Sequence, residues 1–270
     1  MEAKTNEVLA LVQEQKGSWD DAFYIHLARN FGFKTNALPF ECLARSLPQT
    51  LLAKHKNNAT QIEALIFGQS GLLEADLKDE YPISLKREYR FLQKKYHLNP
   101  IDASLWKFMR LRPANFPSIR LAQFAALVIK SHHLFATILE IDNLKILRSL
   151  FAALPINLYW QNHVHFHKIS GSRAIQPGKF SLDNLLINSI AVFLFAYGRH
   201  RDQEMYRIRA IKLLEQLPPE NNKIISQFKA SGIKVMDAAS SQGLLQNKRF
   251  YCDHKKCLSC GIGTKILSLS

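Results

Sequence analysis

Three of the four cysteines lie close together near the C-terminus, at Cys252, Cys257 and Cys260. The two-residue gap between Cys257 and Cys260 lets one turn present two thiolates to a single ion, as in structural zinc knuckles. The sequence therefore predicts a zinc site with these three cysteines as ligands. His254 or the distant Cys42 would complete the tetrahedron.

Two other interpretations of the cysteine tail stay open. The spacing of four residues and then two also begins the plant-type ferredoxin pattern, so an iron–sulfur cluster is an alternative, although a later fourth cysteine is lacking. Without a metal, the three thiols would pack as small hydrophobic groups against the last helix. Gly261 and Gly263 would then make the turn.

A second candidate site is a proline-bracketed turn with arginines on both sides. Arg110 and Arg112 precede the turn, and Arg120 follows it at the start of a predicted helix. Guanidinium groups and the N–H groups of a helix start are suited to holding a phosphate, so these three arginines are the predicted nucleic-acid contacts. A structural role explains them equally well: buried arginines around a rigid corner, with Asn115 closing an Asx turn.

Aromatic and basic residues alternate in one further stretch, at Tyr89-Arg90-Phe91 and Lys94-Lys95-Tyr96. Such rings could stack on bases while the cations bind phosphates. The more common arrangement places the rings in the core and the lysines on the solvated face.

The histidine run offers a possible metal site of another kind. His163, His165 and His167 would point to one face of an extended segment, which makes a three-imidazole site geometrically possible. No carboxylate lies beside them, and a partly exposed polar strand explains the same alternation.

Signals for catalysis are weak elsewhere. Glu63, Glu88 and Asp183 are candidate acids, but nothing in the sequence places any two of them together. No glycine pattern of the P-loop or dinucleotide-binding kind is present. Paired-carboxylate and nucleotide-dependent chemistry are therefore not predicted.

The composition indicates a folded, basic protein. Of 270 residues, 36 are Lys or Arg and 22 are Asp or Glu, a formal net charge of +14, and 47% are hydrophobic. Such an apolar fraction can bury a substantial core, which excludes a chain disordered throughout. The positive field attracts polyanions, so DNA or RNA is the first expected partner. An even spread of charge for solubility would give the same total.

The chain carries no recognisable signal peptide, because residues 1–7 contain acids where a basic region and an apolar core are needed. We therefore expect a cytoplasmic protein, where thiols stay reduced and clustered cysteines serve as metal ligands. The longest apolar run, residues 187–197, is too short to cross a bilayer and predicts a buried core helix. No membrane association is expected.

Helical periodicity dominates the chain. Ser18 followed by Asp21 predicts a helix from about Trp19 to Asn30, and Thr60 followed by Glu63 predicts another that Gly68 can end. Further helix starts are predicted at Pro117, Ser181, Asp202 and Pro219. Residues 162–167 alone alternate as a strand would.

We therefore predict a mainly α, multi-helical bundle-like domain with a short C-terminal cysteine knuckle. The helical domain would span residues 1–250, and the cysteine-containing tail, residues 251–270, would pack on it. The polar, glycine-containing stretch between Lys168 and Lys179 predicts a mobile loop within one domain. A sub-boundary near residues 168–180 is the alternative.

Several longer phrases extend over most of the chain: residues 19–24, 27–33, 36–48, 62–68, 110–120 and the tail from Tyr251 to Cys260. They resemble a bacterial family, domain of unknown function 2851. The resemblance implies longer proteins, whose N-terminal region carries acidic and histidine motifs similar to a PD-(D/E)XK nuclease site. That region is expected to be missing here, residues 1–16 resemble the interior helix that would follow it, and Met1 is expected to be an internal start or an artificial boundary. No catalytic residue is carried over to these positions.

The expected function is that of a basic nucleic-acid-binding or scaffold portion of a nuclease-like protein, with no catalytic centre of its own. We therefore do not expect this segment alone to be an enzyme. The alternative is a protein–protein interaction module with a structural metal site. An independent metalloenzyme that uses the histidine run is a third possibility.

Overall fold

The chain is described here by a computed structural model over residues 1–131, 133–166 and 168–268. Its α-helices are α1 (Glu2–Glu14), α2 (Trp19–Phe31), α3 (Ala37–Ser46), α4 (Gln49–Ala53), α5 (Ala59–Gln69), α6 (Glu80–Tyr96), α7 (Pro117–Lys130), α8 (Leu134–Glu140), α9 (Leu144–Leu150), α10 (Lys179–Leu185), α11 (Ala191–His200), α12 (Glu204–Glu215), α13 (Lys223–Ala230), α14 (Ala238–Asn247) and α15 (Gly261–Leu267). Within these ranges, the strands are β1 (His163–His165) and β2 (Lys168–Ile169). The prediction of a mainly α fold is confirmed.

Short 3-10 helices and π turns connect or interrupt these elements. The 3-10 helices are Leu72–Glu74, Ala103–Leu105, Pro113–Asn115, Leu158–Gln161 and Cys257–Ser259, and the π turns are Leu186–Ile190 and Lys248–Cys252.

Two predicted helix starts are confirmed by the local geometry. The Ser18 hydroxyl accepts a hydrogen bond from the Asp21 N–H at 3.2 Å and so caps α2. Pro117 occupies the first turn of α7, where its missing N–H leaves no helical hydrogen bond unmade. Both signals are local in sequence, which is why they could be recognised without the fold.

The start and end of α5 differ from the prediction. Asn58, rather than Thr60, caps the helix by accepting a hydrogen bond from the Gln61 N–H at 3.2 Å. Gly68 does not end the helix, which continues to Gln69. A Cβ atom at Gly68 would lie 2.0 Å from Cγ of Tyr89, so the glycine is required by the close packing of α5 on α6.

Three further helix starts are displaced from the predicted residues. The helix predicted at Ser181 begins at Lys179, and the one predicted at Asp202 begins at Glu204. The helix predicted at Pro219 begins only at Lys223, because the Asn222 side chain accepts a hydrogen bond from the Ile225 N–H at 3.0 Å. An asparagine cap satisfies an end-of-helix donor, which proline cannot do.

The hydrophobic core forms one cluster that reaches from Val8 in α1 to Ala238 in α14. Helices α5 and α7 lie at its centre, since nearly all their side chains are buried. Rings from α2, α8 and α11 pack around Phe193, which contacts Phe23 at 5.1 Å and Phe135 at 5.8 Å between centroids. Helices on both sides of residues 168–180 therefore contribute to the same core.

The predicted core helix is longer than its apolar run. Helix α10, the π turn and α11 form one continuous helical segment, Lys179–His200, of 22 residues, which by length and composition alone could cross a membrane. Of its most apolar window, 67% is buried inside the protein, as expected for a core helix.

The predicted strand is part of a small antiparallel hairpin. His163 pairs with Ile169 and His165 with Lys168, and the register is irregular between the two pairs. The loop that follows is anchored, because Gln123 Nε2 donates a hydrogen bond to the Ile175 carbonyl at 2.8 Å and Gln176 exchanges two hydrogen bonds with the Leu154 backbone.

A partly buried polar clasp joins the first helix to the last third of the chain. Lys4 Nζ donates to Asn188 Oδ1 at 2.9 Å and to Gln242 Oε1 at 2.7 Å. The Glu220 carboxylate accepts hydrogen bonds from both amide side chains. Burial lowers the pKa of Lys4, and the nearby Glu220 charge partly opposes this.

Candidate nucleic-acid interface

Helix α6 separates buried apolar side chains from exposed basic ones. Leu85, Tyr89 and Leu92 face the core, and the Tyr89 hydroxyl donates to Gln69 Oε1 at 2.9 Å. This spacing of three to four residues is that of one helical face. The opposite face is therefore oriented outward by the packing on α5.

The outward face carries four cations and one exposed ring. We call this set the α6 basic face: Arg87, Arg90, Phe91, Lys94 and Lys95, all of which are exposed. The Phe91 side chain is 60% exposed, whereas Tyr89, two residues earlier, is 1% exposed. An exposed ring beside cations provides a surface on which a base could stack.

Among the described residues, no carboxylate forms an ion pair with the α6 basic face. Within the described ranges, the lysines and arginines in ion pairs are Arg29, Arg45, Arg148, Arg207 and Lys248, none of which lies on α6. The one acid within the stretch, Glu88, accepts a hydrogen bond from Gln61 at 2.8 Å. The positive charge therefore remains available to an external anion.

The C-terminal end of α6 extends this surface. The Tyr96 hydroxyl is hydrogen-bonded to His55 Nε2 at 2.9 Å, which fixes the ring. Lys95 Nζ lies 5.2 Å and Lys54 Nζ 5.9 Å from the ring centre. A second aromatic side chain is thus held among cations.

The three arginines predicted from the sequence occupy different environments. Arg110 and Arg112 are exposed on the loop before α7, and Arg110 has a φ of +60°, a strained conformation of a kind often found at functional sites. Arg120 is 5% exposed and lies beneath that loop. The loop therefore presents two of the three guanidinium groups to solvent and buries the third.

Arg120 is held by neutral groups. Its Nη2 atom donates to Asn115 Oδ1 at 2.6 Å and to Ser181 Oγ at 2.8 Å, and Nη1 donates to Gln123 Oε1 at 2.9 Å. The guanidinium carbon lies 4.5 Å from the Phe33 ring centre. Burial lowers the pKa of Arg120 to about 10. This geometry matches the structural interpretation of a corner arginine that fixes Asn115.

The cysteine tail has a bent backbone. The Lys255 N–H donates to the Cys252 carbonyl at 3.1 Å, and the Cys260 N–H donates to the Cys257 carbonyl at 3.2 Å, so turns follow both Cys252 and Cys257. Cys252 and Cys257 are exposed, whereas Cys260 is buried with its Sγ 3.3 Å from Asn247 Oδ1. In the described part of the chain, no three Cys, His, Asp or Glu side chains are grouped closely enough to hold a metal ion, and His254 is exposed.

Zinc binding by Cys252, Cys257, Cys260 and His254 stays a prediction, and it would require these side chains to move closer together than they are among the described residues. We expect purified protein to contain about one equivalent of zinc by elemental analysis, and Cys257→Ser to lose it, because removing one of four ligands removes most of the affinity. Loss in His254→Ala but not in Cys42→Ser would identify the fourth ligand. Equal metal content in wild type and Cys257→Ser would contradict the prediction.

The histidine run is engaged by aromatic and backbone groups. The His163 ring stacks on Tyr159 with centroids 3.8 Å apart, and its Nδ1 is hydrogen-bonded to the Tyr159 carbonyl at 2.8 Å. The His165 ring packs against Phe108 at 5.0 Å. His167 lies outside the described residues, so the proposed three-imidazole site is described only in part.

A buried acid, Glu63, has partners that the sequence did not indicate. The Tyr81 hydroxyl and the Asn157 amide hydrogen-bond to its carboxyl group, and the Trp160 Nε1–H donates to the Tyr81 oxygen at 3.3 Å. Glu63 is 6% exposed, and burial raises its pKa to about 7, although the two hydrogen bonds oppose the shift.

The three candidate acids are not brought together. Asp183 forms an ion pair with Arg148 at 2.6 Å, and Glu88 is held by Gln61. Glu63 has the separate environment described above. Paired-carboxylate catalysis therefore receives no geometric support from these residues.

Comparison with known proteins gives one match. A family model described as "Protein of unknown function (DUF2851)" matches residues 1–223. The matched region includes α6 and the arginine loop, and it ends before the cysteine tail. No curated protein and no solved structure matches the chain.

Proposed function

Because this chain belongs to the DUF2851 family, whose description states no activity, we propose from its surface that it binds single-stranded nucleic acid through the α6 basic face. The observation that carries the proposal is Phe91, an exposed ring set among four cations without carboxylate partners. The chain would supply binding or scaffolding to a nuclease-like protein, as the sequence resemblance implies.

The recognition would combine two physical terms. Arg87, Arg90, Lys94 and Lys95 attract phosphates and release condensed counterions, which supplies most of the affinity. The Phe91 ring offers a platform on which a base can stack, worth about 1–3 kcal/mol. A duplex keeps its bases stacked inside, so an exposed ring favours a single strand.

The arginine loop has a supporting part in this proposal. Arg110 and Arg112 would add phosphate contacts at a second place on the surface, since both are exposed and neither has an acidic partner among the described residues. Arg120 would act as a positioning residue, because its hydrogen bond to Asn115 holds the loop in shape.

The proposal predicts a steep and local salt dependence. Wild type should bind a fluorescent 12-nucleotide single strand at low salt, and its affinity should fall as salt is added. The plot of log affinity against log salt has a negative slope, to which each phosphate contact contributes about 0.7. Changing Arg87, Arg90, Lys94 and Lys95 to glutamine should therefore make this slope shallower by about 3. Phe91→Ala should weaken binding about tenfold with little change in slope. Fluorescence anisotropy measures both effects.

A charge-matched variant provides the control. Lys212, Lys223, Lys229 and Lys234 are exposed on α12, on α13 and just beyond it, and their change to glutamine removes the same charge elsewhere. This variant should keep most of the affinity. An equal loss of affinity in both variants would show diffuse electrostatic attraction and would contradict a site on α6. If wild type does not bind the single strand at low salt, the whole proposal is wrong.

A second candidate function rests on a different surface. Helix α12 exposes Met205, Ile208 and Ile211, which are spaced by three residues along one side. Such a line of apolar side chains suits a protein partner rather than a phosphate backbone. Binding through it would change little with salt, whereas binding through α6 would change steeply.

A further inference from the structure

A cavity of about 480 Å³ lies between α2, α4, α7 and α8. Its volume falls in the range of small-molecule sites, and the cavity is open to solvent on one side. The floor is apolar and largely aromatic, and it consists mainly of Phe23, Tyr24, Leu27, Phe124, Leu127 and Phe135.

The wall of the same cavity carries the carboxylates of Asp20 and Asp21 and the ammonium group of Lys56, which form no ion pair with one another within the described residues. Asp20 stands in the first turn of α2, and Lys56 follows α4. In the described part of the chain neither side chain forms an ion pair. Partial burial raises the pKa of Asp20 and lowers the pKa of Lys56, as expected for charges that lack a strong partner.

Two other polar residues of the wall, Gln49 and His133, lie near Asp20. The Gln49 amide donates to the Asp20 carbonyl at 2.8 Å and lies 3.4 Å from Asp21 Oδ1. This leaves the Asp20 carboxylate free for a donor of a ligand, since its backbone rather than its side chain is held by Gln49. His133 is close enough to lower the pKa of Asp20 but forms no ion pair with it in the described residues.

We propose that this cavity binds a short apolar peptide of two or three residues through its two charged ends. The peptide ammonium group would bind to the Asp20 carboxylate and its carboxylate to Lys56 Nζ, while the apolar side chains fill the aromatic floor. Charge complementarity selects this ligand class. A purely apolar ligand would cover the partly buried Lys56 ammonium group without offering it a counter-charge, and a ligand with a single charge would leave either Asp20 or Lys56 without a partner.

The test compares three forms of one dipeptide by calorimetry at low salt. Phe-Leu should bind, and Phe-Leu amide and N-acetyl-Phe-Leu should each bind about tenfold or more weakly, because each lacks one charged hydrogen-bonding end. Asp20→Asn should bind Phe-Leu weakly and no longer distinguish it from the acetylated form. Likewise, the Lys56→Met variant should bind Phe-Leu and Phe-Leu amide with the same affinity.

Two matched variants control for folding and for general charge effects. Lys34→Met and Asp76→Asn remove the same charges outside the cavity and should leave all three affinities unchanged. Circular dichroism confirms that the cavity variants are folded. The proposal is overturned if no form binds up to about 10 mM, if all three bind equally, or if only one end of the peptide matters. None of these outcomes bears on nucleic-acid binding by α6.

Discussion

Replacing Arg120 with alanine is expected to lower the free energy of unfolding by about 3 kcal/mol. The substitution leaves the side chains of Gln123 and Ser181 without their donor in a buried site, at about 1–3 kcal/mol for each unsatisfied group. It also removes the contact with the Phe33 ring. Relief of the buried charge offsets part of this loss, which keeps the expected total below the simple sum.

Urea denaturation at pH 7 measures the effect, and Arg120→Lys separates its parts. Lysine keeps the positive charge but has no planar guanidinium group with which to reach three acceptors. The free energy of unfolding of Arg120→Lys should therefore lie between those of wild type and Arg120→Ala. Arg112→Ala, an exposed neighbour on the same loop, should change stability by no more than about 0.5 kcal/mol. A loss below about 1 kcal/mol in Arg120→Ala would show that the polar cage around Arg120 is not a structural support.

The free energy of unfolding of wild type is expected to fall as the pH rises, and replacing Glu63 with glutamine should abolish this fall. The folded pKa of about 7 lies above the ordinary value of 4.5, so the folded state binds more protons than the unfolded state between these values. The stability contributed by the protonated acid is full below pH 4.5 and is lost as the pH rises through 7. The loss amounts to about 3 kcal/mol at most.

The measurement is the free energy of unfolding in urea at intervals from pH 5 to pH 8. Wild type should lose stability across this window relative to Glu63→Gln, and the variant should be the more stable of the two at pH 8. Glu88→Gln removes a partly buried carboxylate on the neighbouring helix and should keep the wild-type profile. Parallel profiles for wild type and Glu63→Gln would show that Glu63 is not the titrating group.

Local signals in the sequence predicted those parts of the fold that depend on neighbouring residues. The Ser18 cap and the Pro117 helix start involve groups within one turn, so a single sequence contains them in full. The Arg120 cage could not be predicted in the same way. It depends on Ser181, which lies 61 positions away in the chain, and only the packing of α7 against α10 brings the two together.

The candidate interface was predictable in part. The sequence indicated aromatic and basic residues around Arg90, but it did not show which ring was buried. The structure separates them: Tyr89 packs on Gly68 and Phe91 faces solvent. A helical projection anchored on Leu85 and Leu92 would have made this distinction, since Tyr89 shares their face and Phe91 does not. The cavity wall could not be found this way, because Asp20 lies on α2 and Lys56 lies in the turn after α4, and no local spacing relates them.

The clasp formed by Lys4, Asn188, Glu220 and Gln242 also constrains the order of events during folding. Lys4 and Gln242 are 238 positions apart, so their hydrogen bond closes a very long loop and gains nothing until the intervening helices have docked. The first helix therefore joins late, and the clasp retards unfolding more than it accelerates refolding. In a partly opened molecule, α1 would detach first and expose Val8 and Val12, two buried apolar side chains that could then contact another chain.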